Sequence, residues 1–496
     1  MPDDSRGARL GRSGGRPRAG RPARSRHPAR ERVALPPGRR LRFACRSPVV
    51  ARWFHACRAR RACTAVGGAP HMEGGQRPVA AAFRARLHAS RVLRRLARSD
   101  GRPRDSRRRV GPTMRIAHVA NFYGPRSGGL RTTMHRLGRG YLEAGHEVLH
   151  IVPGRDYERE WTESGLRITI PGRVLAGSGG YRVIVNVARV RRMLAEFRPD
   201  ALEVSDRFTL TSLGDWAREN SATSVVFSHE TLTGLSETFL RAPFVTAAPV
   251  DWWNARLARR FDHVVATTAF AAREFERLGV TNLVRVPLGV DLREFSPAHH
   301  DASLRQNLLG DADVLLVHCG RLSPEKRVDR SVEVAIELAR RGRRVRLVVA
   351  GDGPTRASLE RLAAGYPVTF VGFVHDRDTL ARILAAADVV LAPGPLETFC
   401  LAALEALASG TPVVASASSA VREVLGVDDS SKPVGAVAAD DAGAFADAVE
   451  RVLATPEADR RFAARERAEQ FPWSKSVEQM LSLLAPTPSR PSSKAA

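Results

Sequence analysis

From residue 114 onward, short apolar runs alternate with longer stretches of helical period. Residues 115–121 (RIAHVAN) are apolar enough for a strand covered on both faces. A glycine-rich stretch, 123–129 (YGPRSGG), follows, and residues 130–144 carry apolar positions at helical spacing up to Gly145, a natural stop. Further strands are predicted at 147–152, 201–204, 224–228, 263–266 and 283–286, with helices at 183–197 and 269–278 between them. The pattern then restarts. Strands at 313–318, 345–350, 368–371, 389–392 and 412–415 alternate with helices at 329–341, 354–363, 376–386 and 401–408. Strand and helix in alternation predict parallel sheets covered on both faces. The fold class is therefore α/β: two doubly wound Rossmann-like domains, 114–288 and 289–472, facing each other across a cleft. Residues 287–291 (PLGVD) read as the hinge. Residues 473–485 read as a C-terminal helix packing back on the N-terminal domain, and 486–496 as a Pro/Ser-rich disordered tail.

Charge changes this picture only at one end. The net charge of +26 would ordinarily point to a polyanion partner. Residues 1–113, however, hold about 30 Arg, no Lys and about six acidic residues, so about +24 lies there and about +2 on the remainder. The folded core is close to neutral, and no nucleic acid is expected to bind it. Three readings of residues 1–113 stand side by side. One is a start of translation assigned too far upstream, since Met114 directly precedes a strand. Another is an Arg/Pro/Gly-rich disordered extension. The third is a tail for nucleic acid or an anionic membrane. The five cysteines, Cys45, Cys57, Cys63, Cys319 and Cys400, show no metal-ligand spacing and no disulfide framework. With no apolar run near the roughly 18 residues of a membrane span, and no signal sequence at the start, the expected place is the cytoplasm, at most peripheral at the inner face of the membrane.

The strongest chemical signal is Glu397-Thr-Phe-Cys-Leu-Ala-Ala-Leu-Glu405. It follows the strand 389–392, so Glu397 falls in a turn and Glu405 about two turns into a helix. The helix N-terminus offers unpaired N–H groups, at Phe399, Cys400 and Leu401, to a diphosphate. Glu405 would accept hydrogen bonds from ribose hydroxyls, and Glu397 from hexose hydroxyls. Two glutamates in a helix are often only a solvated face. The apolar flank LAALEALA argues against that, because a carboxylate there is rarely left unpaired. Arg321 and Lys326, in GRLSPEKR after strand 313–318, would neutralise a departing diphosphate. Ser127, Gly128 and Gly129 let backbone approach a phosphate. His229 follows a strand and would point into the cleft, although a lone histidine is more often structural. Gly351-Asp352-Gly353-Pro354 is a weak turn signal.

In this order these parts, together with Gly289–Asp291, resemble the family-four retaining glycosyltransferases of GT-B fold, and among them actinobacterial GDP-mannose-dependent mannosyltransferases. The resemblance covers nearly all of 114–484. It implies that Arg321 and Lys326 grip the donor diphosphate, that Glu405 holds the ribose, and that Glu397 contacts the transferred sugar. It also implies that His229 lies near the reacting carbon, Gly129 near the phosphates, and the loop ending at Val374 against the base. The family commonly has glycine where this chain has Cys400, which puts the donor geometry there in doubt. No metal and no cofactor are expected beyond the nucleotide-sugar co-substrate, GDP-mannose being favoured. The acceptor would be a lipid or a glycan. A basic stretch at residues 189–192 (RVRR) is a candidate membrane patch, or equally a solvated helix face. Alternatives are a UDP-sugar-dependent glucosyl or N-acetylglucosaminyl transferase, a GT-B epimerase, and a polyanion-binding protein acting through its basic tail.

Overall fold

The computed structural model describes residues 113–124, 128–175, 180–232, 247–427 and 434–485. The segment 1–112, residues 125–127 with Ser127, and the tail 486–496 lie outside them, and so do the expectations placed there.

The first half supplies strands β1 (Arg115–Ala120), β2 (Glu147–Gly154), β3 (Glu158–Thr162) and β4 (Gly165–Pro171), then a small ribbon of β5 (Arg173–Val174) and β6 (Arg182–Val183). Strands β7 (Ala201–Ser205), β8 (Thr223–Ser228), β9 (His263–Ala266) and β10 (Leu283–Arg285) complete it. The sheet order is β10-β9-β8-β7-β1-β2-β4-β3. All pairs are parallel except β3 on β4, an antiparallel edge strand that the alternation of strand and helix did not reveal. Helices α1 (Gly129–Glu143), α2 (Val187–Phe197), α3 (Leu213–Glu219), α4 (Ala247–Arg260) and α5 (Ala269–Glu276) cover it. The helix expected from residue 183 starts only at Val187. Asn186 accepts the Arg189 N–H at 3.1 Å as an N-cap, and Val183 is drawn into the ribbon instead.

The second half carries β11 (Val314–Cys319), β12 (Val345–Ala350), β13 (Val368–Gly372), β14 (Val389–Ala392), β15 (Val413–Ser416) and β16 (Gly435–Ala438). Their order is β13-β12-β11-β14-β15-β16, parallel throughout. The order reverses direction between β11 and β14. Loops leaving those two strands therefore diverge and open a crevice at their carboxyl ends. The helices in order are α6 (Ala302–Leu309), α7 (Val328–Arg340), α8 (Arg356–Leu362), α9 (Arg377–Ala386), α10 (Leu401–Ala408), α11 (Val421–Leu425), α12 (Ala442–Leu453) and α13 (Glu457–Ala468). Asp441 caps α12 by accepting the Ala444 N–H at 2.8 Å.

Each sheet has its own apolar core. A further cluster fixes the chain's last helix, α14 (Trp473–Leu484): Met480 and Leu484 are buried with Met114, Ile116, Leu137 and Tyr141. Burial of two such side chains contributes about 2–3 kcal/mol each. The chain thus returns from the second domain to the first. At this return the Val290 N–H donates to the Phe471 carbonyl at 2.8 Å. A Cβ on Gly289 would stand 2.5 Å from the Trp473 nitrogen, a backbone atom that cannot yield. Gly289→Ala is expected to destabilise the protein by about 1–3 kcal/mol, read as a lower urea midpoint. An unchanged midpoint would show that the hinge and α14 are not in contact.

Candidate functional site

The loop after β11 and the turn before α10 meet at the crevice of the second sheet. Lys326 Nζ lies 2.6 Å from Glu397 Oε1, so the expected phosphate cation and the expected sugar carboxylate are direct partners. The ion pair with Glu397 outweighs the cost of burial and raises the Lys326 pKa, so Lys326 stays charged. Arg321 lies beside them in the same loop. Its guanidinium covers the Tyr181 ring of the first domain, 4.6 Å from the ring centre, and Nη2 reaches Glu325 at 3.4 Å. This loop packs against the GDGP turn: a Cβ on Gly351 would fall 1.7 Å from the Gly320 carbonyl oxygen, and one on Gly353 2.2 Å from that of Leu322. The two glycines are needed for that approach of backbone to backbone, a packing reason rather than a ligand-binding one.

Glu405 is buried on α10, and burial pushes its pKa up. Arg377 opposes that shift, donating from Nη2 to Glu405 Oε1 at 3.0 Å and from Nε to Glu294 Oε1 at 2.7 Å. Phe399 packs edge-on against Phe471, so only its backbone is available to a ligand. Cys400 is the N-cap of α10 at φ 68°, in the left-handed region that favours glycine. Leu401 opens the helix, with its Cδ1 3.9 Å from where a Cβ on Gly129 would be. The N-terminus of α1, at Gly129, therefore faces the N-terminus of α10 from the opposite domain. Gly128 gives α1 no side-chain cap. Val374, half-buried, follows β13 beyond Gly372 and the partly exposed Phe373.

His229 enters from the first domain just after β8. Its carbonyl accepts the Thr398 hydroxyl, next to Glu397, and its ring Nε2 lies 2.8 Å from Ser205 Oγ. Burial, then the nearby charge of His118, lowers its pKa to about 3, so the ring is neutral. The predicted residues other than Val374 thus gather at one crevice, and Val374 lies on the loop after β13. Sequence reasoning missed Arg377, Tyr181, Ser205 and Thr398. For Glu405 it did expect a partner, because the carboxylate stands alone in an apolar helix, but nothing local says that Arg377 supplies it.

Cys400→Gly removes the left-handed strain and is expected to raise stability by up to about 1 kcal/mol, measured by urea unfolding. A loss of stability would mean that the thiol packs favourably enough to outweigh its backbone.

Comparison with known proteins agrees with this arrangement. Residues 128–289 match the family described as "Glycosyl transferase 4-like domain", and residues 313–455 match "Glycosyl transferases group 1". The chain is 50% identical over 374 residues, 75% of itself and 96% of the relative, to a GDP-mannose-dependent alpha-(1-6)-phosphatidylinositol dimannoside mannosyltransferase of Mycobacterium tuberculosis. Among solved structures it superposes on sucrose-phosphate synthase from Thermosynechococcus elongatus with a TM-score of 0.62 at 22% identity, covering 75% of this chain and 98% of that one. It also superposes on Anabaena HepE in complex with UDP and glucose, with a TM-score of 0.59 at 19% identity, covering 75% and 99%. These two likenesses concern the fold alone. Two facing Rossmann-like domains, the match of both halves and the extent of identity together place this chain in the family-four glycosyltransferases of GT-B fold.

Proposed function

We propose that this chain transfers mannose from GDP-mannose to a mannose-bearing inositol lipid, with retention at the anomeric carbon and without a bound metal. The observation that carries the reading is the 50% identity over 96% of a relative named for that reaction. The site chemistry supports it. Arg321 and Lys326 flank the crevice where a donor diphosphate would rest, and the N-termini of α1 and α10 aim N–H groups at the same place. Donor binding would exchange the Lys326–Glu397 contact for Lys326 to phosphate and Glu397 to sugar hydroxyls. Glu405, already oriented by Arg377, would take the ribose.

In the proposed step the acceptor oxygen attacks C1 on the face from which GDP leaves. The C1–O bond to phosphate breaks, and its electron pair goes to the β-phosphate. The acceptor hydroxyl proton moves to that phosphate oxygen. The products are GDP and the mannosylated acceptor. The fixed cations stabilise the charge that grows on the leaving group, which is the ground for expecting no metal.

Among the described residues no helix is long and apolar enough to cross a membrane. A lipid acceptor would instead be met at the outer edge of the first sheet. There Tyr157, Trp161, Val174, Leu175 and Val185 are exposed, and Arg189 covers the Tyr157 ring at 4.9 Å. Within the 189–192 stretch Arg192 is exposed, whereas Arg191 donates to the Ser212 carbonyl at 3.2 Å and supports the fold. The reading therefore places the enzyme peripherally on an anionic membrane face.

The full chain, with EDTA present, would be given GDP-mannose, UDP-glucose or UDP-N-acetylglucosamine together with phosphatidylinositol dimannoside in anionic vesicles. Release of GDP with gain of one mannose on the lipid is expected. Lys326→Ala and Glu397→Ala should each lower kcat by about 10²–10³-fold. Turnover of a UDP-sugar would overturn the donor, free sugar without transfer would point to an epimerase, and no turnover of any donor would overturn the reading.

A further inference from the structure

Two arginines and three carboxylates, drawn from both domains and the hinge, form one connected series that ends on Glu405. Arg136 stands on α1 of the first domain, Asp291 and Glu294 on the hinge and the turn after it, Arg377 at the start of α9, and Glu405 on α10. Arg136 Nη1 donates to Asp291 Oδ2 at 2.7 Å, and Arg136 Nη2 contacts Glu294 Oε2. Asp291 Oδ1 accepts the Arg293 and Glu294 N–H groups, each at 3.0 Å, which folds the turn that carries Glu294. Arg377 Nε donates to Glu294 Oε1 at 2.7 Å, and Arg377 Nη2 donates to Glu405 Oε1 at 3.0 Å. The Arg377 guanidinium also covers the Phe295 ring, 4.7 Å from its centre. Guanidinium and amide N–H groups donate and these carboxylate oxygens accept, so the direction of every bond in the series is fixed.

How Arg377 is divided decides what Glu405 can do. A guanidinium paired with one carboxylate commonly takes both of its oxygens in a two-bond fork. Here the fork is split between two carboxylates: Glu294 takes Nε, and Glu405 receives one bond, at Oε1. Glu405 Oε2 takes no part in it. Without Glu294, Arg377 would be free to close its fork on Glu405. Glu405 is 7% exposed, and a buried carboxylate satisfied internally at both oxygens gains little by turning to a ligand. Glu294 is itself held by Arg136, so the division depends on where α1 sits.

We propose that Glu294 and Arg136 are positioning residues for the carboxylate assigned to the ribose: they keep the Arg377 fork divided, so that one oxygen of Glu405 stays open to a ribose hydroxyl. Neither needs to touch the donor. A residue of the first domain thereby sets the nucleotide affinity of a site built on the second. The inference rests on the transferase reading, through the ribose assigned to Glu405.

The test measures, by calorimetry on the full chain, the binding of GDP and of its analogue without ribose hydroxyls, dideoxy-GDP. In the unaltered protein GDP is expected to bind about 10²-fold more tightly, from two hydroxyls donating to a buried carboxylate. Glu405→Ala should bring that ratio near one. Glu294→Gln and Arg136→Gln should each lower it about tenfold, the weight of one such bond. They should also raise the GDP-mannose KM about tenfold and leave kcat within about twofold. Glu294→Gln added to Glu405→Ala should change the ratio no further, because the two residues act through one interaction. A general loss of stability would weaken both nucleotides alike and leave the ratio as it was. If Glu294→Gln fails to fold, Arg136→Gln decides. An unchanged ratio in these folded variants, or a ratio near one in unaltered protein that binds GDP, would overturn the proposal and leave the transferase reading standing. Should UDP bind and GDP not, the GDP reading falls, and the same ratio taken with UDP and dideoxy-UDP decides the proposal. Binding of neither nucleotide would overturn the transferase reading and the proposal with it.

Discussion

The site exists only while the two sheets are held face to face, and one carboxylate does much of that holding. Glu423, on α11 of the second domain, accepts the backbone N–H groups of Ala269 and Phe270, each at 2.7 Å. These amides open α5 of the first domain and have no partner within their own helix. The positive end of the helix and the carboxylate attract each other across the cleft. Beside them the Thr398 carbonyl accepts both the Thr267 and the Thr268 hydroxyls, at 3.1 and 2.8 Å. The turn from Glu397 to Cys400 is thereby docked on the first domain as well as on its own sheet. The position of the turn assigned to the sugar is thus a property of the docked pair of domains and of neither domain alone.

A second set of charges ties the far side of the cleft to the same point. Arg136, on α1, contacts Glu294 and donates to Asp291 at 2.7 Å. Glu294 in turn pairs with Arg377, and Arg377 with Glu405. Each carboxylate here is partly or wholly withdrawn from water, so each would be costly if its cation were removed. The chain of pairs carries the position of α1, whose N-terminus faces the crevice assigned to the donor, through to the carboxylate assigned to the ribose. Packing follows the same logic. Glycines at 351 and 353 let the loops after β11 and β12 touch backbone to backbone, which brings the Arg321–Lys326 loop within reach of the turn before α10.

The alternation of apolar runs and helical periods determined the two doubly wound halves, and several elements fall on the residues predicted, among them β9, β12, β14, α10 and α14. Such features depend on patterns a few residues long: burial on one face, caps, and glycine where a helix ends. The same local pattern marked Glu397 and Glu405, because carboxylates flanking an apolar helix after a buried strand are conspicuous in one dimension. It failed where the edge of the sheet departs from simple alternation, at β3 and the β5–β6 ribbon, and where Asn186 delays α2. The buried contacts of Glu203 with Tyr141 and His118 left only a faint trace, a histidine in RIAHVA and a glutamate in ALEVS, each inside an apolar strand. What the tertiary structure alone decided is the choice of partners. Thr398 and His229 are 169 residues apart, Arg136 and Asp291 155, and Glu423 and Ala269 154. No local periodicity encodes such pairings, since they depend on the angle at which two complete sheets dock and on which unpaired donor then lies within hydrogen-bond reach of which carboxylate.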